Sequence, residues 1–151
     1  MDTIFDIDGT LLNIQHRVKF VRQQPKDWKT FRDPELKKDD RPIRPVIFIL
    51  NATLLAGFRV IIASGRLKSE EKDTRKQLRL WIPDIDDLPF YMRSDSDYRP
   101  DDIVKKDMLT KMREDGYDPS MVFDDRPSVV RMWRAEGLVV ADVGNPDLGE
   151  F

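Results

Sequence analysis

The sequence predicts an α/β protein built on a doubly wound parallel sheet of the Rossmann type. Two observations support this fold class. Short apolar runs typical of strands alternate with longer segments typical of helices, which is the pattern of a parallel sheet covered on both faces. At 151 residues, the chain also has the length of one domain around a single core. We therefore expect one domain over residues 1–151, with a small helical insert at about 13–44.

The first half of the chain is divided by turn and cap residues. A first strand is expected at about 3–6, and a polar, charged stretch follows it. Pro45 favours the start of an apolar helix that continues to Leu55. Gly57 favours its end, because glycine readily adopts the left-handed backbone of a helix C-terminus. The second strand is expected at Arg59–Ala63.

The second half alternates in the same way. Ser69 favours the start of a charged helix that extends to Trp81, and Pro100 favours the start of another. The helix after Pro100 has an apolar face formed by Ile103, Val104, Met108, Leu109 and Met112. The other elements are expected at Pro89–Met92, Met121–Phe123, Pro127–Glu136 and Leu138–Val143. Core positions are expected at Trp81, Met132 and Trp133.

The composition limits the classes of protein that the sequence can encode. There is no cysteine, which excludes a disulfide framework and a zinc site built on cysteine. No apolar stretch approaches the length of a membrane span, and the first residues match a strand rather than a signal sequence. We therefore expect a cytoplasmic protein with no membrane partner.

Two carboxylates follow the first predicted strand directly. Asp6 and Asp8 are separated by one residue, and Gly9 with Thr10 favours a tight turn. Two acids and the backbone N–H groups of such a turn suit Mg²⁺ and phosphate, so the segment is typical of a phosphoryl-transfer site. Taken alone, the segment could also be a solvated loop or a set of calcium ligands.

Three further polar motifs lie at Ser64-Gly65-Arg66, Asp101 to Lys105 and Asp124-Asp125-Arg126. Ligands of an open parallel sheet lie beyond the carboxyl ends of its strands, so we expect these motifs to converge with Asp6. Ser64 can donate to a phosphoryl oxygen, and Lys105 can neutralise charge shared between Asp6 and phosphate. The residues expected to bind Mg²⁺ are Asp6, Asp8 through its main-chain carbonyl, Asp124 and Asp125.

These motifs resemble those of the haloacid dehalogenase superfamily and, in finer detail, those of the 3′-phosphatase domain of bacteriophage polynucleotide kinase/phosphatase. The similarity spans the whole chain, and the segments that carry it are Asp6-Ile-Asp-Gly-Thr-Leu, Arg17, Ser64-Gly65-Arg66, Asp101-Asp102-Ile-Val-Lys105, Asp124-Asp125-Arg126, Val130-x-Met132-Trp133-Arg134 and Gly149-Glu150-Phe151. The resemblance implies a Rossmann-like sheet of haloacid dehalogenase type, with the insert at 13–44 as a small cap.

The resemblance also implies roles for individual residues. It makes Asp6 the nucleophile that forms an aspartyl-phosphate and Asp8 the general acid/base, with Ser64 and Lys105 in catalytic support. Asp8 must then carry a proton when substrate is bound. The residues expected to bind substrate are Thr10, Arg17, Gly65, Arg66, Asp101 and Arg126. Among these, Arg17, Arg66 and Arg126 could instead be structural ion-pair partners.

The insert at 13–44 is the cationic part of the chain, with ten Lys or Arg residues and five Asp or Glu residues. We expect it to cover the phosphate site and to select the substrate. Trp28 and Phe31 could stack against bases, but their spacing favours packing of the insert onto the sheet. The charged runs Lys37–Asp40 and Glu70–Asp73 are expected to be solvated.

The sequence as a whole predicts a Mg²⁺-dependent phosphomonoesterase that removes 3′-phosphate from nucleic-acid ends, as in a phage-infected bacterium. The alternatives are a phosphatase of free mononucleotides and a catalytically silent module that binds phosphate or a partner. No Gly-x-x-x-x-Gly-Lys-Ser/Thr loop is present, so no kinase domain is expected in this chain. The net charge of −2 provides no broad basic surface of the kind that binds duplexes.

Overall fold

The computed structural model describes residues 1–148, so the Gly149-Glu150-Phe151 segment of the resemblance lies outside the described residues. Seven strands occur in this part of the chain: β1 (Asp2–Phe5), β2 (Leu12–Asn13), β3 (Arg41–Pro42), β4 (Arg59–Leu67), β5 (Phe90–Arg93), β6 (Pro119–Asp124) and β7 (Val139–Asp142). The α-helices are α1 (Gln15–Arg22), α2 (Trp28–Phe31), α3 (Pro34–Lys37), α4 (Arg44–Leu55), α5 (Glu71–Leu78), α6 (Asp101–Glu114) and α7 (Pro127–Ala135). Short 3₁₀ turns cover Lys68–Glu70, Ile85–Asp87 and Pro146–Leu148.

Five of these strands form one parallel sheet in the order β5-β4-β1-β6-β7. The chain therefore begins in the middle of the sheet, winds outward through β4 and β5, and returns to add β6 and β7 on the other side. The winding direction changes at β1, and the carboxyl end of such a strand is where an open parallel sheet binds ligands. This topology confirms the predicted doubly wound parallel sheet.

Alternating side chains of the central strands pack against helices on opposite faces of the sheet. Phe5 belongs to the core cluster that includes residues of α4 and α5, and its ring stacks on Phe123 at 4.5 Å between centroids. Ile4 belongs to a second cluster, with α6 and α7. Both faces of the central strands are thus covered, which is why their sequences contain apolar runs rather than alternating patterns.

The insert forms a small unit of its own. Its ends meet in the antiparallel pair β2–β3, and α1, α2 and α3 lie between these strands. A separate apolar cluster holds these helices together and consists of Ile14, Val18, Val21 and Phe31. This unit runs from Leu12 to Pro42, and the assignment of residues 13–44 as a cap stays a prediction.

Some details differ from the prediction. The second strand of the sheet continues to Leu67, so Ser64, Gly65 and Arg66 lie within β4 and not in a loop. The longer strand is possible because β5 pairs with β4 beyond Ser64, across a register irregularity. The predicted helix from Ser69 to Trp81 is shorter, because the chain turns at Leu78 ahead of Pro83.

The predicted core positions are partly confirmed. Trp133 is fully buried, whereas Trp81 and Met132 are partly buried and pack against the edges of the two clusters. Ile103 is 43% exposed, so its assignment to the apolar face of the helix after Pro100 was wrong. No helix among residues 1–148 is both long enough and apolar enough to cross a membrane.

Candidate active site

A small cavity of about 80 Å³ lies at the carboxyl end of β1, between the sheet and the insert. Charged groups dominate its walls, with seven Lys or Arg side chains against five Asp or Glu side chains. The excess of positive charge suits an anionic ligand. The charged lining residues are Asp6, Asp8, Arg17, Arg32, Lys37, Arg66, Glu70, Arg93, Asp101, Lys105, Asp125 and Arg126.

Lys105 holds two carboxylates at the base of the cavity. Its ammonium group donates to Asp6 Oδ1 at 2.8 Å and to Asp124 Oδ2 at 2.9 Å. The Trp133 indole also donates to Asp124 Oδ2, at 3.1 Å. Although burial lowers the pKa of Lys105, the charges of Asp124 and Asp6 raise it well above its ordinary value. Lys105 is therefore a permanent positive charge between the ends of β1 and β6.

Asp6, Asp124 and Asp125 form an acidic cluster that could bind a metal ion, with one oxygen from each within 4.8 Å of the others. Burial and the charges of the other two carboxylates raise the pKa of Asp6 well above its usual range. Burial and Asp124 likewise raise the pKa of Asp125 to about 7. The single charge of Lys105 does not balance these three crowded carboxylates, and a divalent cation with oxygen ligands would supply the missing positive charge. The residues present therefore fit Mg²⁺.

Asp8 is oriented by two arginines rather than by the acidic cluster. Arg17 Nη2 donates to Asp8 Oδ1 at 2.9 Å, and Arg66 donates to the same oxygen from Nε at 3.0 Å and from Nη2 at 2.7 Å. Burial raises the pKa of Asp8, but Arg66 and Arg17 outweigh it and hold this pKa far below its usual range. The Asp8 carboxylate is thus ionised when the cavity holds no substrate.

Asp40 completes this arrangement and was missed in the sequence, where the charged run Lys37–Asp40 predicted a solvated segment. That expectation was wrong for Asp40 and Lys37, which are both buried. Lys37 pairs with Glu70, and Gln77 donates to the Lys37 carbonyl at 2.6 Å. The charged composition of the run was the only signal available, and it does not distinguish a solvated charge from a buried ion pair.

Asp101 and Gly65 form the side wall of the cavity. Arg93 Nη2 donates to Asp101 Oδ1 at 2.8 Å, and Arg126 Nη1 lies 3.7 Å from Asp101 Oδ2. A side chain at Gly65 would overlap the Asp101 carboxylate, so glycine is needed for this close approach. Burial raises the pKa of Asp101, but Lys105, Arg126 and Arg93 together bring it below its usual value.

Ser64 and Thr10 lie behind the cavity wall rather than on it. The Ser64 hydroxyl accepts the backbone N–H of Arg66 at 3.1 Å and thereby fixes the backbone next to the Arg66 side chain. The Thr10 hydroxyl lies 3.4 Å from Asp6 Oδ2 and 3.3 Å from Asp125 Oδ1, so it bridges two carboxylates of the acidic cluster. Direct contact of either hydroxyl with substrate stays a prediction.

Replacement of Gly9 should damage both stability and activity. Gly9 has a φ of +88°, and a Cβ there would overlap the Asp125 carboxylate. We expect Gly9→Ala to lower the free energy of unfolding by more than about 1 kcal/mol in urea titrations and to displace Asp125. Gly116→Ala is the matched control, because Gly116 has a φ of +90° with no atom within 4 Å of an added Cβ. Equal unfolding costs for the two variants would contradict the proposed crowding at Asp125.

Comparison with known proteins finds a matching family and similar chains in an RNA repair complex and in a virus. The family described as polynucleotide kinase PNKP phosphatase domain matches residues 2–148. A chain in the structure of the Pnkp1/Rnl/Hen1 RNA repair complex is 30% identical, with a TM-score of 0.76 and coverage of 99% of this chain and 43% of that one. A protein of Autographa californica nuclear polyhedrosis virus, described as a bifunctional polynucleotide kinase/RNA ligase, is 33% identical over 75 residues, which are 50% of this chain and 11% of that one.

More distant solved structures share the fold. The class C acid phosphatase from Bacillus anthracis with tungstate bound is 16% identical, with a TM-score of 0.67 and coverage of 96% of this chain and 66% of that one. A haloacid dehalogenase-like hydrolase from Streptococcus pneumoniae is 13% identical, with a TM-score of 0.58 and coverage of 93% and 83%. The fold is therefore of haloacid dehalogenase type. The chain spans about a tenth of its viral relative and less than half of the RNA repair chain.

Proposed function

The chain belongs to the polynucleotide kinase PNKP phosphatase-domain family, and from that premise we propose that it removes 3′-phosphate from nucleic-acid ends in a Mg²⁺-dependent reaction. As a member of this family it is a phosphatase. The observation that carries the proposal is the pairing of two differently held carboxylates on one cavity. Asp6 is held by Lys105 within the acidic cluster, and Asp8 is held by Arg17 and Arg66.

Each carboxylate would have a distinct role. Asp6 would attack phosphorus, so that a new oxygen–phosphorus bond forms to its carboxylate while the bond to the leaving oxygen breaks. Asp8 would give a proton to that leaving oxygen and later take one from the water that hydrolyses the aspartyl-phosphate. When bound, Mg²⁺ would supply charge that offsets the repulsion between Asp6 and a phosphate dianion.

The guanidinium groups of Arg17 and Arg66 oppose protonation of Asp8 in the free enzyme. A substrate dianion in the cavity would bring negative charge next to these groups and weaken their effect on Asp8. The pKa of Asp8 should then rise on substrate binding, which would allow it to act as an acid. The same arrangement would favour Asp8 as a base once the leaving group has departed.

The size of the cavity supports a substrate that enters by one end. Ordinary ligand pockets measure roughly 300–1,000 Å³, so a cavity of about 80 Å³ suits a phosphoryl group, with the rest of the substrate across its mouth. Trp28 and Arg32 of the insert line the cavity, and the Arg32 guanidinium lies 5.2 Å from the Trp28 ring centroid. These groups could follow the sugar, base or neighbouring phosphate of a single-stranded 3′ end.

The preferred substrate can be tested by comparing 3′- and 5′-phosphorylated oligonucleotides with the corresponding mononucleotides. We expect the highest kcat/KM for the 3′-phosphorylated oligonucleotide. This kcat/KM should also fall steeply as salt is added: each contacted phosphate should add roughly 0.7 to the negative slope of log kcat/KM against log salt concentration. Arg32→Gln should lower kcat/KM more for the oligonucleotide than for the mononucleotide. Lys38→Gln is the control, because exposed Lys38 lies in the insert but does not line the cavity.

If kcat/KM and its salt dependence are the same for the oligonucleotide and the mononucleotide, the result would favour the alternative function, a phosphatase of free mononucleotides. The net charge of −2 is the observation that favours this alternative. A catalytically silent module would fail to hydrolyse any phosphate ester, including a generic aryl phosphate. The related Pnkp1 structure is that of an RNA repair complex, and assembly of this chain with further repair proteins is a proposal that rests on this likeness alone.

Metal removal should stop the reaction. Excess EDTA should abolish turnover, and added Mg²⁺ should raise the melting temperature, because an ion that binds only the folded chain stabilises it by about 2.7 kcal/mol at 100 times its Kd. Asp124→Ala should remove most of this increase, since Asp124 belongs to the acidic cluster. The exposed Asp73→Ala variant should respond to Mg²⁺ as the wild type does. Undiminished turnover in chelator would contradict the metal requirement.

A further inference from the structure

The loop that connects β5 to α6 lies on the rim of the cavity. Arg93 precedes this loop and Asp101 follows it, and both residues line the cavity. Arg93 also anchors the loop, because its Nη1 donates to the backbone carbonyl of Asp97 at 3.1 Å and to that of Arg99 at 2.6 Å. The backbone on either side of Tyr98 is thus fixed to a residue of the cavity wall.

Further hydrogen bonds and ion pairs hold the rest of the loop. The backbone N–H of Asp97 donates to the Ser94 carbonyl at 3.0 Å, and the Arg99 guanidinium donates to both carboxylate oxygens of Asp97, at 3.0 and 2.8 Å. Arg99 also donates to Asp107 of α6 at 2.7 Å. A ligand that binds to this loop therefore does not have to order its backbone, which would weaken binding.

Tyr98 is the aromatic side chain that this loop presents to solvent. It is 84% exposed, and its hydroxyl forms no hydrogen bond within the part of the chain that the structure describes. Burial and the charge of Arg93 lower the pKa of Arg32, and the ionised Tyr98 side chain is among the groups that oppose this shift. Exposed charges act on each other only over a short range, so Tyr98 lies near Arg32, which lines the cavity from the side of the insert.

We propose that Tyr98 is a stacking platform for the base of the 3′-terminal nucleotide, and that the rim between Tyr98 and Arg32 is a nucleobase site. The cavity of about 80 Å³ suits a phosphoryl group alone, so the sugar and base of a substrate lie across the rim. Every base has a flat face that stacks on an aromatic ring or on a guanidinium plane. The inference rests on the proposed function and adds to it a selection for esters of nucleosides over esters of base-free sugars.

Tyr98→Ala tests this platform with two substrates that differ only in the base. One is deoxyadenosine 3′-phosphate, and the other is the same sugar phosphate with hydrogen in place of the base. We expect Tyr98→Ala to raise KM for the first by roughly 5- to 100-fold, the range of one stack between a base and an aromatic ring. The kcat should stay the same, because stacking far from phosphorus is equal in the ground state and the transition state. KM for the base-free substrate should not change.

Two further variants serve as controls. Tyr98→Phe retains the ring and removes only the hydroxyl, so it should keep the wild-type KM for both substrates. Phe48→Ala removes a ring that is 72% exposed on α4 and does not line the cavity, and it should leave both KM values unchanged. Because Tyr98 and Phe48 make few contacts with the core, all of these variants should fold.

A fluorescent base reports the stack directly. A 3′-phosphorylated oligonucleotide with 2-aminopurine as its last base should lose fluorescence when it binds to an Asp6→Asn enzyme, which holds the substrate without turnover. Addition of Tyr98→Phe should preserve this quenching, and addition of Tyr98→Ala should remove it.

The inference would be overturned if Tyr98→Ala raised KM equally for the base-bearing and base-free substrates, or for neither. It would also be overturned if Tyr98→Phe were as impaired as Tyr98→Ala, since the hydroxyl and not the ring would then be the contact. Failure of the proposed function is a separate result, because it is read from the wild-type enzyme as the absence of any preference for 3′-phosphorylated oligonucleotides. The base-dependent difference between Tyr98→Ala and Tyr98→Phe decides only the stacking role.

Discussion

Asp6→Asn should abolish turnover, with a loss of kcat of at least about 10⁴-fold, because an amide cannot form the aspartyl-phosphate. The fold should survive the change. Asp6 is one of three crowded carboxylates, and Lys105 keeps Asp124 as a partner when the charge of Asp6 is removed. The melting temperature should therefore change little. Steady-state kinetics and a thermal melt of the same preparation measure both effects.

Asp39→Asn is the control for this substitution, since it makes the same chemical change on the surface. Beryllium fluoride, which mimics a phosphoryl group on a carboxylate, should protect the wild-type enzyme from unfolding and leave Asp6→Asn unaffected. If Asp6→Asn retained wild-type activity, Asp6 could not be the nucleophile, and the proposed chemistry would have to be abandoned.

Asp8→Asn should slow the reaction by about 10²–10⁴-fold, the range typical of general acid/base catalysis. The loss should depend on the leaving group. A nucleoside leaves as a poor alkoxide and needs the proton, whereas nitrophenolate needs none. Asp8→Asn should therefore slow formation of the aspartyl-phosphate less with nitrophenyl phosphate than with a 3′-nucleotide.

Transient kinetics with both substrates would measure this first step separately from hydrolysis of the intermediate. Equal losses for good and poor leaving groups would argue against proton transfer by Asp8. They would instead favour an electrostatic role, in which Asp8 only orients Arg17 and Arg66.

The sequence predicted the parallel sheet and the residues at its carboxyl edge because both depend on local patterns. Apolar runs that end in Asp6, Ser64 or Asp124 mark buried strands and their exits. Parallel order then brings those exits together, as the short distances from Lys105 to Asp6 and Asp124 demonstrate. The predicted convergence needed no knowledge of side-chain contacts.

The ion-pair network of Asp8, Arg17, Asp40 and Arg66 could not be predicted in the same way. Arg17 and Asp40 are 23 positions apart in the insert, and Arg66 is another 26 positions from Asp40. A charged residue within a charged run has no local signal for burial, since burial depends on partners that only the folded chain brings near. The orientation of Trp133 towards Asp124 was missed for the same reason: the indole appeared only as an apolar core residue.

The ion-pair network of Asp8, Arg17, Asp40 and Arg66 also has a consequence for how the enzyme loses activity on heating. Two of its members, Asp8 and Arg66, come from the sheet side, and the other two, Arg17 and Asp40, come from the insert. Detachment of the insert would therefore dismantle the reaction centre at the same moment. Inactivation should coincide with the first local opening of the insert and so precede global melting of the sheet, which makes catalytic rate a reporter of a subglobal unfolding event.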